Sequence, residues 1–430
     1  MSQLDEDQLV TEAEREEGAV APASTVPVEL VANSLSEYVR AWFARLRAGE
    51  SGMLPVIVGL IIISIIFQTL NDKFLTAGNI VNLLVQGAVY MLLAMAEVYV
   101  LLLGEIDLSA GFVGGIGGIV TAELVKESVG WPWWAAIIAA LAVCAAIGLF
   151  QGTIITRLGL PSFVVTLAGL LGFQGVMLRI IGNGGTLPIG DNVVNDLANG
   201  NLTPAAGWII MIVGIGIYGL LIWFRDARRR KSGLVAPPVS FTIVKIVAAA
   251  VAGIVLVWIC NRDRGVLVPI RGVPWVILIV LGVLIAWSIL LGRTRFGRYV
   301  YAIGGNAEAA RRAGIPLARI RTYCFGLASM TAGIAGVIYA SRLRSVSTNL
   351  DGGTLVLYAV AAAVIGGTSL FGGRGKPMSA VVGGIVIAAI DNGMGLQGFS
   401  AASKYIVTAI VLLAAVTIDA LARRGTTTRR

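Results

Sequence analysis

Long apolar stretches alternate with short polar segments from residue 54 almost to the end of the chain. A helix rises about 1.5 Å per residue, so about 20 apolar residues cross the roughly 30 Å hydrocarbon core of a bilayer. We place about twelve transmembrane stretches at residues 54–70, 80–103, 107–125, 133–156, 160–181, 205–224, 241–259, 273–292, 320–340, 354–370, 376–392 and 403–421. The third and tenth stretches are rich in glycine and are predicted to be broken or re-entrant, which would leave about ten or eleven full spans.

Basic residues set the expected orientation, because loops rich in Lys and Arg stay in the cytoplasm. They cluster at residues 225–231, 293–321 and 423–430. Placing these clusters in the cytoplasm agrees with twelve alternating spans and puts both termini on that side. The acidic segment 182–204 has no Lys or Arg and is expected outside. Segments 260–272 and 341–353 must lie outside as well, although they contain Arg.

The composition also indicates that most of the chain lies in lipid. Of its 430 residues, 57% are hydrophobic and only 13% are charged, and a soluble domain has about twice that charged share. The fold class predicted is therefore an all-α polytopic membrane protein. The formal charge of +9 comes from Arg residues in short loops, so we interpret it as a topology signal and expect no nucleic-acid binding.

Residues that would support catalysis or nucleotide binding are missing from the sequence. It contains no histidine, and Cys144, Cys260 and Cys324 have no spacing typical of a disulfide or zinc site. The fragment GGRGKP at 372–377 lacks the hydroxyl residue and the upstream glycine of a phosphate-binding loop, and no GxSxG motif occurs. We therefore expect no catalytic residues, no metal and no cofactor.

The two ends of the chain differ from the membrane region at residues 54–421. Residues 1–50 begin with an acidic tail, expected to be disordered to about Ser34, and continue into an amphipathic segment, Leu35–Leu46, suited to the cytoplasmic membrane face. The chain has no signal peptide pattern at its start. Residues 422–430 form a basic tail.

Two glycine-rich polar breaks occur in opposite halves of the chain, at the start of residues 104–122 and of residues 366–389. Paired broken helices indicate a solute pathway in transporters. The alternative is tight helix packing, because Gly111–Gly115 and Gly114–Gly118 have GxxxG spacing. The candidate pathway residues are Glu105, Asp107, Ser109, Gly366, Gly367 and Thr368.

Charged residues within the apolar stretches are few, and each needs a reason. Glu97 lies in the second stretch. Asp107 and Ser109 are expected either to cap a helix or to line the pathway. Asp391, at the end of the eleventh stretch, and Arg179, in the fifth, are expected to reach the outer interface.

Residues 293–321, which we name the docking loop, contain a helix too short to cross the membrane. Asn306 can cap the segment AEAARRA, which ends at Gly314 and is followed by Pro316. The helix is an ordinary surface connector or a helix that docks into another protein, and its small-residue face favours docking. The candidate coupling residues are Asn306, Glu308, Ala309, Ala310, Ala313 and Gly314.

Five segments together resemble the permease subunits of bacterial monosaccharide ABC importers, the ribose/xylose-type branch. They are GEIDLSAG (104–111), LPSFVVTLAGLLGFQG (160–175), AIGGNAEAARRAGI (302–315), AAAVIGGTSLFGGRG (361–375) and the ending AIDNGM with KYIVTAIVLLAAVTID. The likeness covers residues 54–421. An additional stretch at about 225–275, containing RGVP, is typical of xylose-type members.

The resemblance implies a permease subunit in the bacterial plasma membrane that works as a homodimer. Two cytoplasmic ABC ATPase subunits would dock on the coupling helices, and an extracytoplasmic sugar-binding protein would deliver the sugar. The alternatives are a permease for ribose, galactose or branched-chain amino acids and an ion-coupled secondary transporter. The lack of histidine and the few buried acids disfavour ion coupling. A membrane enzyme is disfavoured by the missing catalytic set.

Overall fold

The computed structural model describes residues 54–182, 185–234, 237–265, 267–348 and 351–427. The predicted acidic tail and the segment Leu35–Leu46 lie outside the described residues, as do Arg429 and Arg430 at the end of the predicted basic tail.

Helices make up most of the described chain. In order they are α1 (Leu54–Leu70), α2 (Ala77–Leu102), α3 (Ala110–Leu124), α4 (Trp133–Leu158), α5 (Ser162–Ile181), α6 (Asn192–Asn199), α7 (Pro204–Lys231), α8 (Val239–Asn261), α9 (Trp275–Arg293), α10 (Arg295–Gly305), α11 (Ala307–Arg312), α12 (Leu317–Leu343), α13 (Gly352–Ile365), α14 (Pro377–Leu396) and α15 (Ala401–Thr427). Two strands, β1 (Thr186–Pro188) and β2 (Ser345–Ser347), pair antiparallel with Leu187 opposite Val346.

Each of the predicted apolar stretches coincides with a helix, and the all-α polytopic class is confirmed. Among the described residues, eight helices are long and apolar enough to cross a membrane: α2, α4, α5, α7, α8, α9, α12 and α14. Four apolar helices are shorter, namely α1, α3, α13 and the apolar part of α15. The third and tenth predicted stretches are among these short ones, in agreement with their glycine-rich breaks. The orientation of the termini stays a prediction.

The core is built around α2 and α12. From Gly87 to Leu102, every residue of α2 is buried. Helix α12 packs against α3 and α4 through glycine: a side chain on Gly336 would overlap the carbonyl group of Gly114. On Gly148 it would overlap that of Phe325. The GxxxG spacing in α3 therefore serves helix packing, as the alternative interpretation proposed.

Residues 212–253, less the two undescribed positions, belong to a compact unit of their own. Asp226 accepts hydrogen bonds from Arg225 (2.8 Å) and from the Thr242 hydroxyl (3.0 Å), and Arg230 donates to that hydroxyl (2.9 Å). The basic residues predicted to form a loop here are instead the last turns of α7. Cations at a helix carboxyl end are stabilised by the exposed carbonyl groups.

The segment between α5 and α7 is ordered by side-chain caps. Asp191 accepts from the backbone N–H of Val194 at 2.8 Å and so begins α6. Helix α6 is fastened to the end of α12, because the Ser341 hydroxyl accepts from the Ala198 N–H (3.0 Å). The segment 182–204 thus contains a strand, β1, and a short helix, α6.

Arginines in the segment 260–272 form structural contacts, mostly within that segment. Arg264 donates to the Cys260 carbonyl (2.7 Å) and to the Asn201 side chain (3.0 Å). The backbone N–H of Gly265, with Arg271 nearby, holds the pKa of Asp263 below its usual range. Because these arginines have structural partners, they count less as topology signals.

Candidate functional site: a docking loop seated on two helix breaks

The docking loop, residues 293–321, folds as two short helices followed by the start of α12. Thr294 accepts from the Gly297 N–H (3.2 Å) and begins α10. Asn306 accepts from the Ala309 N–H (2.9 Å) and begins α11, which ends before Gly314 at a φ of +79°. The predicted cap and breaker of α11 are therefore confirmed. The sequence reading missed α10, although the Thr294 cap is its signal.

Helix α11 presents most of its predicted docking residues to the surface. Asn306, Ala309, Ala313 and Gly314 are exposed, and Glu308 is exposed while pairing with Arg311 and Arg312. Ala310 is the exception, because it is 4% exposed and packs in the core. The inclusion of Ala310 in a docking face was therefore wrong: this residue fixes α11 to its own chain.

The first break, residues 103–109, separates α2 from α3. Gly104 turns the chain at a φ of +76°, a conformation that glycine adopts without strain. Asp107 accepts from the backbone N–H of Ser109 (2.9 Å) and from its hydroxyl (2.6 Å). Gln151 donates to the same hydroxyl at 3.0 Å. Ser109 is the N-cap residue directly before α3, but its side chain makes no cap bond.

Asp107 and Ser109 are fully buried in this network, so they do not line an open passage in this conformation. Glu105 lies at the rim of the break with 11% of its side chain exposed. The capping explanation of Asp107 and Ser109 is wrong in its detail. Asp107 instead closes a local turn onto Ser109, and the pair is held by Gln151 from α4.

The second break, residues 366–376, separates α13 from α14. Gly366 packs so closely on the Ser379 carbonyl group that a side chain there would overlap it. Gly367 has a φ of +101°. Thr368 is fully buried, and its hydroxyl has no hydrogen-bond partner among the described residues. The six candidate pathway residues thus divide equally between the two breaks.

Both breaks meet at α10. The Gly373 N–H donates to the carbonyl of Leu102, the last residue of α2, at 2.9 Å, which joins the second break to the point where the first begins. Gly304 lies on top of this bond, where a side chain would overlap the Leu102 oxygen. The Tyr301 hydroxyl donates to the Gly375 carbonyl at 2.7 Å. Burial raises the pKa of Tyr301, so this hydroxyl keeps its proton.

An ion pair adds a third link between the docking loop and the breaks. Arg321, in the second turn of α12, binds the Glu105 carboxylate with its Nη2 atom 2.8 Å from Oε1. From its sequence context alone, Arg321 is interpretable only as a topology signal. A pairing between residues so distant along the chain leaves no local pattern that would have identified it.

Glu97 is a buried acid beside the first break. It is fully buried, and neither carboxyl oxygen has a hydrogen-bond partner among the described residues. Val89 and Leu93 precede Glu97 by two turns and one turn on the same face of α2 and line a cavity of about 130 Å³. Glu97 therefore lies one turn beyond this cavity, toward the break.

Asp391 belongs to a polar cluster between α2, α14 and α15. It accepts from Lys404 (2.8 Å), Gln86 (2.5 Å) and the Tyr90 hydroxyl (3.1 Å). The reach of Asp391 to the outer interface stays a prediction; in the structure α14 continues to Leu396, and only 13% of the Asp391 side chain is exposed. Its partners lie on neighbouring helices.

Similarity to known proteins covers almost the whole chain. Residues 79–416 match the family described as branched-chain amino acid transport system/permease component. The xylose transport system permease protein XylH of Escherichia coli K12 is 34% identical over 384 residues, which is 89% of this chain and 95% of the relative. The XylH protein of Haemophilus influenzae is 35% identical over 380 residues, 86% of this chain and 97% of that protein. The ribose import permease protein RbsC of Escherichia coli K12 is 30% identical over 382 residues, with 89% and 95% covered. No solved structure matches the chain.

Proposed function

The chain belongs to the branched-chain amino acid transport system permease component family, and we propose that it is the membrane permease subunit of an ABC-type sugar importer that carries xylose. The observation that carries this proposal is the alignment with the xylose permeases along almost their entire length. The exposed α11 and the contacts of its neighbours α10 and α12 with the two helix breaks support it, because an importer needs a surface that a separate ATPase can move.

The choice of a sugar over an amino acid rests on the relatives. The family description names branched-chain amino acids, whereas the xylose and ribose permeases each align with at least 95% of their own length. Xylose is preferred to ribose on the higher identity, 34–35% against 30%. The stretch at about 225–275, with α8 and RGVP, supports the same choice, since the resemblance to xylose-type permeases includes it.

Energy for transport would come from another chain. This permease has no phosphate-binding loop, so cytoplasmic ATPase subunits supply hydrolysis and dock on α11. The docking residues proposed are Asn306, Glu308, Ala309, Ala313 and Gly314. Closure of the ATPase dimer on ATP would then push the docking loop and change the side of the membrane to which the pathway opens.

The remaining parts of the assembly follow from the same function. A second copy of this chain completes the pathway, and an extracytoplasmic binding protein delivers the sugar. Both termini and the docking loop lie in the cytoplasm, as the basic clusters favour. The pathway runs past the two helix breaks, whose buried polar residues Asp107, Ser109 and Thr368 become accessible when it opens.

Ion-coupled transport is the second candidate, and the buried pair Glu97 and Asp107 is the observation that favours it, because titratable groups at such depth carry protons in some transporters. Cells that lack xylose uptake can separate the two. We expect radiolabelled D-xylose to enter only when this chain is expressed with its ATPase and binding protein. Unlabelled D-ribose and L-leucine should compete weakly. Uptake without the ATPase, or uptake of leucine instead of xylose, would overturn the proposal.

A further inference from the structure

We propose that the ion pair between Arg321 and Glu105 positions the first helix break and carries movement of the docking loop into it. The inference rests on the proposed function and adds a defined mechanical link to it. Arg321 and Glu105 are positioning residues, since neither needs to touch the sugar.

The pair has the geometry of a strong contact. Its Nη2–Oε1 distance is 2.8 Å, and the two side chains are 34% and 11% exposed. A charge-assisted hydrogen bond that is partly shielded from water is stronger than a neutral one and is screened less by salt. Movement of Arg321 would therefore pull Glu105 along with it.

Arg321 lies close enough to α11 along the chain to be displaced when α11 moves. Only the four residues 313–316 separate the end of α11 from the first turn of α12, and Arg321 follows in the next turn. Among the ion pairs of the described residues, this is the one that joins the docking loop to a helix break. The Tyr301–Gly375 hydrogen bond makes a corresponding link to the second break.

Groups at the first break favour opposite arrangements, open and closed, which suits an element that switches between two conformations. Glu97 and one oxygen of Asp107 are buried without hydrogen-bond partners among the described residues. Such groups regain favourable contacts when water reaches them, so they favour opening. The Arg321–Glu105 pair at the rim favours the closed arrangement. A small movement of α12 would then decide between the two.

The test is the number of xylose molecules taken up per ATP hydrolysed, measured in proteoliposomes that hold this chain with its ATPase and binding protein. We expect Glu105→Gln to retain ATP hydrolysis and to lower this ratio by about tenfold, the size of effect that loss of a charged hydrogen bond brings. Arg321→Gln should act in the same way. The exchanged pair, Glu105→Arg with Arg321→Glu, should recover most of the ratio, and Glu105→Asp should recover part of it.

Asp263→Asn is the matched control, because it removes an ion pair of 3.2 Å within one exposed loop, with Arg271, and should leave the ratio unchanged. An unchanged ratio in Glu105→Gln would overturn this inference while leaving the proposed function intact. The inference would also fall if hydrolysis and uptake dropped in proportion and the exchanged pair gave no recovery. Absence of xylose uptake by the unmodified assembly would overturn the proposed function and this inference with it.

Discussion

Replacing Gly304 by alanine inserts one methyl group between the docking loop and both helix breaks. The new Cβ atom would overlap the carbonyl oxygen of Leu102 and come within 2.6 Å of the Gly373 nitrogen. Both neighbours are backbone atoms joined by a hydrogen bond of 2.9 Å, so neither can rotate away as a side chain would. Either α10 moves outward or the bond between the two breaks is lost.

The energetic consequence follows from overpacking. Extra methyl groups in a well-packed site destabilise by about 1–3 kcal/mol. Gly305 offers a matched control, because a Cβ atom on this neighbouring residue would meet nothing within 4 Å. The alanine substitution is favourable for a helix in both cases, so any difference between the two variants measures the contact and not helix propensity.

Thermal unfolding of the purified permease and ATP-driven xylose uptake are the assays. We expect Gly304→Ala to lower the unfolding temperature and to reduce uptake strongly while the exposed face of α11 still binds the ATPase. Gly305→Ala should resemble the unmodified chain in every assay. If Gly304→Ala behaved like Gly305→Ala, α10 would not be seated on the breaks, and the account of the site would be wrong.

Three further predictions test other parts of the structure. Ala309→Arg should abolish copurification with the ATPase while the amount of folded permease stays normal. Ala310→Arg should instead reduce the amount of folded permease. Equal amounts of folded protein for the two variants would contradict the burial of Ala310. Asp391→Asn should lower unfolding stability by about 1.5–3 kcal/mol through the lost charged hydrogen bonds, and an unchanged unfolding temperature would argue against the contact with Lys404. Glu97→Met should raise the unfolding temperature, because it removes a buried carboxyl without a partner; a lower temperature would indicate that the carboxyl is satisfied.

The sequence was sufficient to locate the long apolar helices and the ends of α11, because these depend on local patterns. Apolar length determines a span, and the Asn306 cap and the Gly314 breaker act within a few residues of themselves. The glycine-rich breaks were found for the same reason: a left-handed residue such as Gly104 or Gly367 has a local steric cause.

What could not be predicted depends on neighbours brought together by the fold. Ala309 and Ala310 look alike in sequence, and only the packing of α11 against the rest of the chain makes one exposed and the other buried. Asp391 was placed at an interface because a span was expected to end there, whereas Lys404 and Gln86 supply its partners from other helices. The Arg321–Glu105 pair likewise needs α12 and the first break in position before it exists.

The central claim is that this chain passes xylose under the control of a separate ATPase docked on α11. Its most direct test is uptake of labelled D-xylose into proteoliposomes that contain the permease, the ATPase and the binding protein, with ATP present or absent on the ATPase side. We predict accumulation that requires ATP and is lost in the Ala309→Arg variant. Accumulation driven by a proton gradient without ATP, or undiminished uptake by Ala309→Arg, would contradict the claim.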